Sequence, residues 1–145
     1  MLPYHHEQIG RIYILVLALV GASVLGLGGF AAGQLTIATG FFLVIVAIVW
    51  AFAQLTIDVD NRSIRWSMTF GFPGGEIPFD QIVSAQIVPV NFWMGIGIHL
   101  TLRGWVWNVS LGQGVQIMRP NGIAVVLGTD DPQGLIEAIT RARAA

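Results

Sequence analysis

Potential metal ligands are consecutive near the N-terminus, where the sequence reads His5, His6 and Glu7. Imidazole and carboxylate groups both bind zinc, but the ligands of one ion must converge on a single point. Adjacent side chains rarely converge, and no other histidine or acid follows these three at a recognisable spacing. We therefore predict no metal site and interpret the three residues as an interfacial segment before the first apolar stretch.

The residues available for nucleophilic catalysis are His99 and Ser110, which an aspartate could complete as a triad. No nucleophile elbow surrounds Ser110, and the lack of cysteine excludes thiol nucleophiles, disulfides and thiolate metal sites. Glycines 26, 28 and 29 lie inside an apolar stretch, where helix packing explains them better than a phosphate loop. We predict that the protein is not an enzyme, has no catalytic residue and binds no cofactor.

Charged residues make up 10% of the chain, against about 25% in a typical soluble domain. All the basic residues are arginines, and the formal net charge is −1. Nucleic-acid binding requires an excess of basic residues to neutralise phosphates, so we expect no nucleic-acid partner. A surface so poor in charge is expected to face lipid over part of its area.

An uncharged stretch extends from residue 12 to residue 53 and is roughly twice the ~20 residues that cross a bilayer. Glycines within residues 28–34 permit a reversal of the chain. We predict two transmembrane helices, over about residues 10–30 and 35–53, that form a hairpin in an N-terminal unit of residues 1–53. The alternative for the first helix is a cleavable signal peptide, whose apolar region is usually shorter.

Arginines flank this apolar stretch on both sides, whereas the loop between the predicted helices carries no charge. Arg11 precedes the first helix, and Arg62 and Arg65 follow the second. The positive-inside rule then places both termini and the domain that follows in the cytoplasm. The predicted location is the inner (plasma) membrane, crossed by both helices.

Small residues recur at four-residue steps along the predicted hairpin. Such stripes let helix backbones approach closely in lipid, where packing drives association. The stripe is either the seam that closes the hairpin or a contact with a second copy or a partner helix. The candidate seam residues are Ala18, Ala22, Gly26, Gly29 and Gly33.

After residue 53, apolar and polar residues alternate in short runs, a pattern typical of strands with one buried face. The residues from 54 to 145 are therefore predicted to form a mainly-β domain of about seven antiparallel strands. Asp131 and Pro132 mark the start of a C-terminal helix over residues 131–143. The predicted strands are 55–60, 63–70, 83–88, 96–103, 105–111, 115–119 and 123–127.

Seven antiparallel strands and one C-terminal helix resemble a pleckstrin-homology (PH) fold. The resemblance is strongest in residues 91–98, 104–109 and 128–132. With the preceding hairpin, the chain resembles small bacterial membrane proteins that carry a PH-like domain after two transmembrane helices. The resemblance implies a fold and a membrane setting, and it implies no chemistry.

PH domains that bind phosphoinositides carry a basic cluster around their first two strands. In this chain Arg62 and Arg65 are offset there by Asp58 and Asp60. The local charge is therefore close to zero, and the resemblance does not extend to phosphoinositide binding.

Aromatic residues provide the candidate interaction surface. Phe92, Trp93 and Met94 interrupt the strand pattern and could contact the bilayer or a partner protein. Trp105 and Trp107 follow the strand alternation and are predicted to lie in the core.

These observations together predict a non-enzymatic integral membrane protein. Its PH-like domain would mediate protein–protein interaction as an accessory, assembly or scaffold subunit of a membrane complex. The expected partners are the lipid bilayer and another membrane protein or a second copy of the chain. The alternative function is a membrane-surface or lipid-headgroup sensing module.

Overall fold

The computed structural model describes residues 4–26, 32–91, 97–102 and 104–144, and within its helices the side chains of residues 12, 14, 24–26 and 32–38 are not described. The described residues form nine strands and three α-helices. The strands are Tyr4–Ile9 (β1), Gln54–Val59 (β2), Ser63–Met68 (β3), Gly74–Pro78 (β4), Ser84–Val90 (β5), Gly97–Thr101 (β6), Gly104–Asn108 (β7), Gly112–Met118 (β8) and Ala124–Gly128 (β9). The helices are Arg11–Gly26 (α1), Ala32–Ala51 (α2) and Pro132–Arg143 (α3), and a 3₁₀ turn covers Phe79–Gln81.

The strands form two sheets. One has four strands in the order β1-β2-β3-β4, and all its neighbours are antiparallel. The other has five strands in the order β5-β8-β9-β7-β6. In this second sheet β7 and β9 are parallel, and the remaining pairs are antiparallel.

The main core lies between the two sheets and α3. Alternation along β2 buries Leu55, Ile57 and Val59 on one face, as the twofold period predicts. From the second sheet Leu127 contributes to the same cluster, and α3 contributes Leu135 and its neighbours one turn later. Burial of these side chains is the main source of stability of the two-sheet unit.

The start of α3 follows from its first residues. Asp131 is the N-cap, and its Oδ1 accepts a hydrogen bond from the backbone N–H of Gly134 at 2.9 Å. Pro132 occupies the first helical turn, where its missing N–H costs no intrahelical hydrogen bond. The predicted C-terminal helix is confirmed.

The helices α1 and α2, called here the helical pair, form the connection between two strands that lie side by side. β1 and β2 are antiparallel neighbours, with Ile9 opposite Gln54. The backbone N–H of Gly10 donates to the carbonyl of Ala53 at 2.7 Å, so the base of the connection is closed. The helical pair is therefore an insertion into a β-hairpin.

The prediction of two transmembrane helices is wrong. Across the described residues the structure contains no helix both long enough and apolar enough to cross a membrane. α1 has 16 residues and rises about 24 Å, short of the ~30 Å hydrocarbon core. The predicted helices were longer because they included Gly10, which follows β1, and residues 52–53, which lead into β2.

Three further predictions depended on the transmembrane hairpin and are corrected with it. The resemblance to membrane proteins with two transmembrane helices is wrong in the hairpin that defined it, by the same finding. The predicted inner-membrane location is not supported, because it needed helices that span the bilayer. The orientation with both termini in the cytoplasm loses its basis, since the positive-inside rule applies to spanning segments.

The mainly-β part of the fold prediction needs a smaller correction. Each of the seven predicted strands overlaps an observed strand, but the described residues form nine, and the β7–β9 pair is parallel. β1 was missed because its inward residues, Tyr4, His6 and Gln8, are polar or amphipathic and show no apolar alternation. β4 was missed because its glycines resemble a loop.

Candidate functional site

The helical pair exposes large apolar side chains on both helices. No charged residue occurs between residue 12 and residue 53, so no ionic group borders these side chains along the helices. Phe41 and Leu19 are each 69% exposed, which is unusual for side chains of this size. Contiguous apolar surface of this kind marks an interaction site. The other exposed members are Leu15, Val16, Leu43, Val44, Ile48 and Trp50.

The candidate seam residues take several positions on this surface. Ala18 and Ala22 are exposed on α1, and Gly26 is its last residue. Gly33 lies in α2, where its side-chain surroundings are not described, and Gly29 lies outside the described residues. The role of the seam stays a prediction.

The helices approach each other at a glycine that the four-residue pattern did not include. A Cβ atom at Gly21 would meet the Phe42 ring at 3.3 Å. A small residue in α1 thus faces an aromatic side chain of α2, a packing arrangement that lets two helices lie close together. Substitution there would push against Phe42.

An exposed aromatic cluster lies where α2 meets the four-stranded sheet. The rings of Trp50 and Phe70 are 6.0 Å apart between centroids and tilted by 60°. The Thr69 hydroxyl donates to the Trp50 carbonyl at 2.7 Å and holds the two segments together. Phe72, two residues beyond Phe70, is 80% exposed. This aromatic cluster consists of Trp50, Phe70 and Phe72, and it extends the apolar surface of the helical pair.

Sequence reasoning missed the two phenylalanines of this cluster. Phe70 was placed at the end of a predicted strand, and Phe72 in a loop identified by its glycine and proline content. The observed strand β3 ends at Met68, so both phenylalanines lie beyond it. Large apolar residues on both sides of a loop glycine were the signal that could have identified them.

The predicted interaction surface of Phe92, Trp93 and Met94 lies outside the described residues. Of the two tryptophans assigned to the core, Trp107 is buried, as predicted. Trp105 is 43% exposed, and the prediction for it is wrong. The two share one face of β7, but only Trp107 is covered by the opposite sheet.

Polar side chains of β1 connect the two sheets. His6 Nε2 lies 2.6 Å from Asp130 Oδ1, and the Tyr4 hydroxyl donates to Asp131 Oδ2 at 3.2 Å. Gln8, in the amide orientation that pairs every group, accepts from Ser110 Oγ at 2.7 Å and from Asp130 N–H at 3.2 Å. Burial, followed by the negative charge of Asp131, raises the pKa of Tyr4 above its ordinary value. Tyr4 therefore remains a neutral donor at physiological pH.

The outer face of the four-stranded sheet carries a row of alternating charge. His5, Asp58, Arg65 and Glu76 are cross-strand partners in succession. His5 Nδ1 lies 2.6 Å from Asp58 Oδ1, and this hydrogen bond and the Asp58 charge raise the pKa of His5. Neighbouring charges of opposite sign stabilise the sheet and leave little net charge on this face.

The arginines that a phosphoinositide would require are close to an acid. Arg65 lies 2.9 Å from Asp60 as an ion pair. The Asp60 carboxylate also accepts the backbone N–H groups of Arg62 and Ser63, and these hydrogen bonds lower its pKa. A headgroup phosphate would have to compete with this carboxylate.

The triad and metal-site candidates are placed by the same strands. The Ser110 hydroxyl is engaged with Gln8, and His99 Nε2 is buried with no hydrogen-bond partner among the described residues. His5 and His6 point to opposite faces of β1, as adjacent strand residues must. Within the described ranges, no group of three histidine or acidic residues is arranged to hold a metal ion.

Comparison with known proteins adds no name to this geometry. No protein-family model matches the chain, and no curated protein matches its sequence. The functional argument therefore depends on the chain's own surfaces.

Proposed function

We propose that this chain is a non-enzymatic protein–protein interaction module whose helical pair docks on an apolar surface of a partner protein. The observation that supports this proposal is the exposure of Leu19 and Phe41, together with their apolar neighbours, on an insertion without charge. Water contact of so much apolar surface is unfavourable, and binding to an apolar partner would remove it.

The construction of the insertion supports the same proposal. The two-sheet unit has its own core, to which partly buried Tyr13 is the helical pair's contribution, packing at its edge. The closed base at Gly10 and Ala53 holds the helices at one end of the β1–β2 hairpin. A rigid unit that presents an apolar helix surface is a common arrangement for recognising another protein.

Site-specific photocrosslinking in cells that produce the full chain would test the proposal. A photoreactive amino acid at Leu43, which is 60% exposed on α2, is expected to form a crosslink to one defined protein. The matched control has the same amino acid at Val83, which is 58% exposed just before β5. A crosslink to the chain itself identifies a homo-oligomer, and one to another protein identifies a heteromeric partner.

The identified contact must then depend on the apolar surface. Leu19→Gln combined with Phe41→Gln is expected to weaken binding of the purified partner by at least tenfold, while Leu102→Gln, at an exposed residue of the two-sheet unit, leaves it unchanged. The absence of any protein crosslinked at Leu43, or equal crosslinking at Val83, would reject the proposal.

A second candidate is recognition of a lipid surface, and the aromatic cluster favours it. Trp50, Phe70 and Phe72 combine exposed rings with a Trp indole, the side chain best suited to a lipid–water boundary. Flotation of the full chain with phosphatidylcholine vesicles tests this function, with Phe70→Ser combined with Phe72→Ser as the variant. Loss of flotation in the variant supports lipid-surface recognition, and failure of the unmodified chain to float rejects it.

A further inference from the structure

A cleft between the two sheets is lined by three tryptophans. Trp66 belongs to β3, and Trp105 and Trp107 belong to β7. The cleft has a volume of about 430 Å³, within the range of about 300–1,000 Å³ that small-molecule sites occupy. Ile98 and Val125 complete its apolar walls.

The rings that line the cleft are fixed by packing within the protein. Trp66 lies opposite Gly75 across the β3–β4 pair, and a Cβ atom at Gly75 would overlap the Trp66 indole. The Trp66 and Trp107 rings meet edge to face, with centroids 5.9 Å apart. A ligand that enters the cleft therefore meets a surface already in place, which reduces the entropy lost on binding.

Trp66 provides the cleft with an unused hydrogen-bond donor. Its side chain is only 6% exposed, and among the residues that the structure describes Nε1 has no hydrogen-bond partner. Buried polar groups in proteins are nearly always paired, so this N–H selects for a ligand that offers an acceptor. A carbonyl oxygen has the acceptor geometry that an indole N–H requires.

Two opposite charges at the cleft decide the charge of the ligand. Glu76 and Arg119 both line it, so their charges cancel there. The Ser63 hydroxyl donates to Glu76 Oε1 at 2.6 Å, and Arg119 Nε donates to the Ile123 carbonyl at 3.4 Å. An anion would be repelled by Glu76 and a cation by Arg119, so an uncharged ligand fits best.

We infer that this cleft is a binding site for a small, uncharged aromatic molecule whose carbonyl oxygen accepts a hydrogen bond from Trp66 Nε1. The aromatic ring lies against Trp105 and Trp107, and binding covers the exposed part of Trp105. The inference goes beyond the proposed docking function, since no residue that lines the cleft belongs to the helical pair.

The test is a titration of the ¹⁵N-labelled full chain with acetophenone, followed by the indole N–H resonances in NMR spectra. The matched control probe is α-methylstyrene, which has a methylene group in place of the carbonyl oxygen. Acetophenone is expected to move the Trp66 resonance downfield, because the N–H acquires an acceptor. At equal concentrations α-methylstyrene is expected to bind more weakly and to leave that resonance without a downfield shift.

A pair of tryptophan variants completes the test. Trp66→Phe keeps an aromatic ring and removes the donor, and we expect the Kd for acetophenone to rise about 3- to 10-fold. Trp50→Phe, at an exposed tryptophan of the helical pair, is expected to leave the Kd unchanged. Should Trp66→Phe fail to fold, the two probes on the unmodified chain still decide. Equal affinity for both probes, an unmoved Trp66 resonance or no binding of acetophenone up to its solubility overturns the inference.

Discussion

The helical pair and the two-sheet unit use apolar residues in opposite ways. In the two-sheet unit, alternation gives every strand of the main core one buried face, and Leu127 has no exposed surface. In the helical pair, apolar residues surround both helices, and Leu19 is 69% exposed. The same side-chain type thus stabilises the fold in one region and is available for binding in the other.

The difference teaches that hydrophobicity alone does not determine burial. A periodic pattern specifies which face of an element is covered, whereas a uniformly apolar segment specifies none. The exposed surface of the helical pair therefore requires a partner, and the buried surface of the sheets already has one within the chain.

Truncation of one leucine in each region should give the largest contrast. Leu127→Ala is expected to lower the free energy of unfolding by about 2–5 kcal/mol, because it removes buried contacts and leaves a cavity. Leu19→Ala is expected to change it by less than about 0.5 kcal/mol. Urea denaturation followed by circular dichroism measures both, and equal losses would contradict the comparison.

Two glycines should sharpen the description of the second sheet. Gly104 has φ +135°, and a Cβ atom there would overlap the backbone of Ala124, its partner in the parallel β7–β9 pair. We expect Gly104→Ala to cost about 2–4 kcal/mol through strain and overpacking. Gly122→Ala is the control, because its φ of +77° is similarly restricted but nothing lies within 4 Å, and about 1–2 kcal/mol is expected. Thermal unfolding that shows equal losses would exclude close packing as the cause.

The N-cap of α3 should have a smaller effect on the two-sheet unit. Asp131→Ala removes the acceptor for the Gly134 N–H and for the Tyr4 hydroxyl, and a loss of about 0.5–2 kcal/mol is expected. Asp131→Asn retains a capping oxygen and should cost less than the alanine variant. In the asparagine variant the pKa of Tyr4 should fall, which the absorbance of tyrosinate at alkaline pH would detect. An unchanged pKa would mean that Asp131 does not contact Tyr4.

The smallest expected effect concerns His5 on the outer face of β1. Asp58 raises the pKa of His5 in the folded state, so the protonated form is favoured by folding. The stabilisation is complete below the unfolded pKa of about 6.5 and is lost as pH rises through the higher folded value. An NMR titration of the His5 ring should give a pKa above 6.5 that Asp58→Asn lowers. A His5 pKa at or below 6.5 would refute the contact.

Much of the two-sheet unit could be predicted from the sequence because its elements follow simple periods. The alternation of Leu55, Ile57 and Val59 predicted β2, and Asp131-Pro132 predicted the start of α3. The parallel pairing of β7 and β9 could not be predicted, since alternation fixes the face of a strand but not the direction of its neighbour.

The helical pair was predicted less well for a physical reason. A continuous apolar stretch has no internal marker of where a helix ends, so the transmembrane prediction extended past Gly26 and before Arg11. β1 was hidden because its contacts are hydrogen bonds from Tyr4 and Gln8 to distant residues. The unpaired Trp66 N–H likewise appears only when both sheets are in place.

The closed base of the helical pair has a consequence for how the chain folds and how it could be redesigned. Because Tyr4 pairs with Val59, formation of β1–β2 must close a long loop, whereas β2, β3 and β4 pair through short turns. β1 is therefore expected to join the sheet last, after the other three strands have formed. Residues 11–52 could then be replaced by an Asn-Gly turn, since the two strand ends already lie side by side. The shortened chain would fold faster and would retain the cleft while lacking the docking helices.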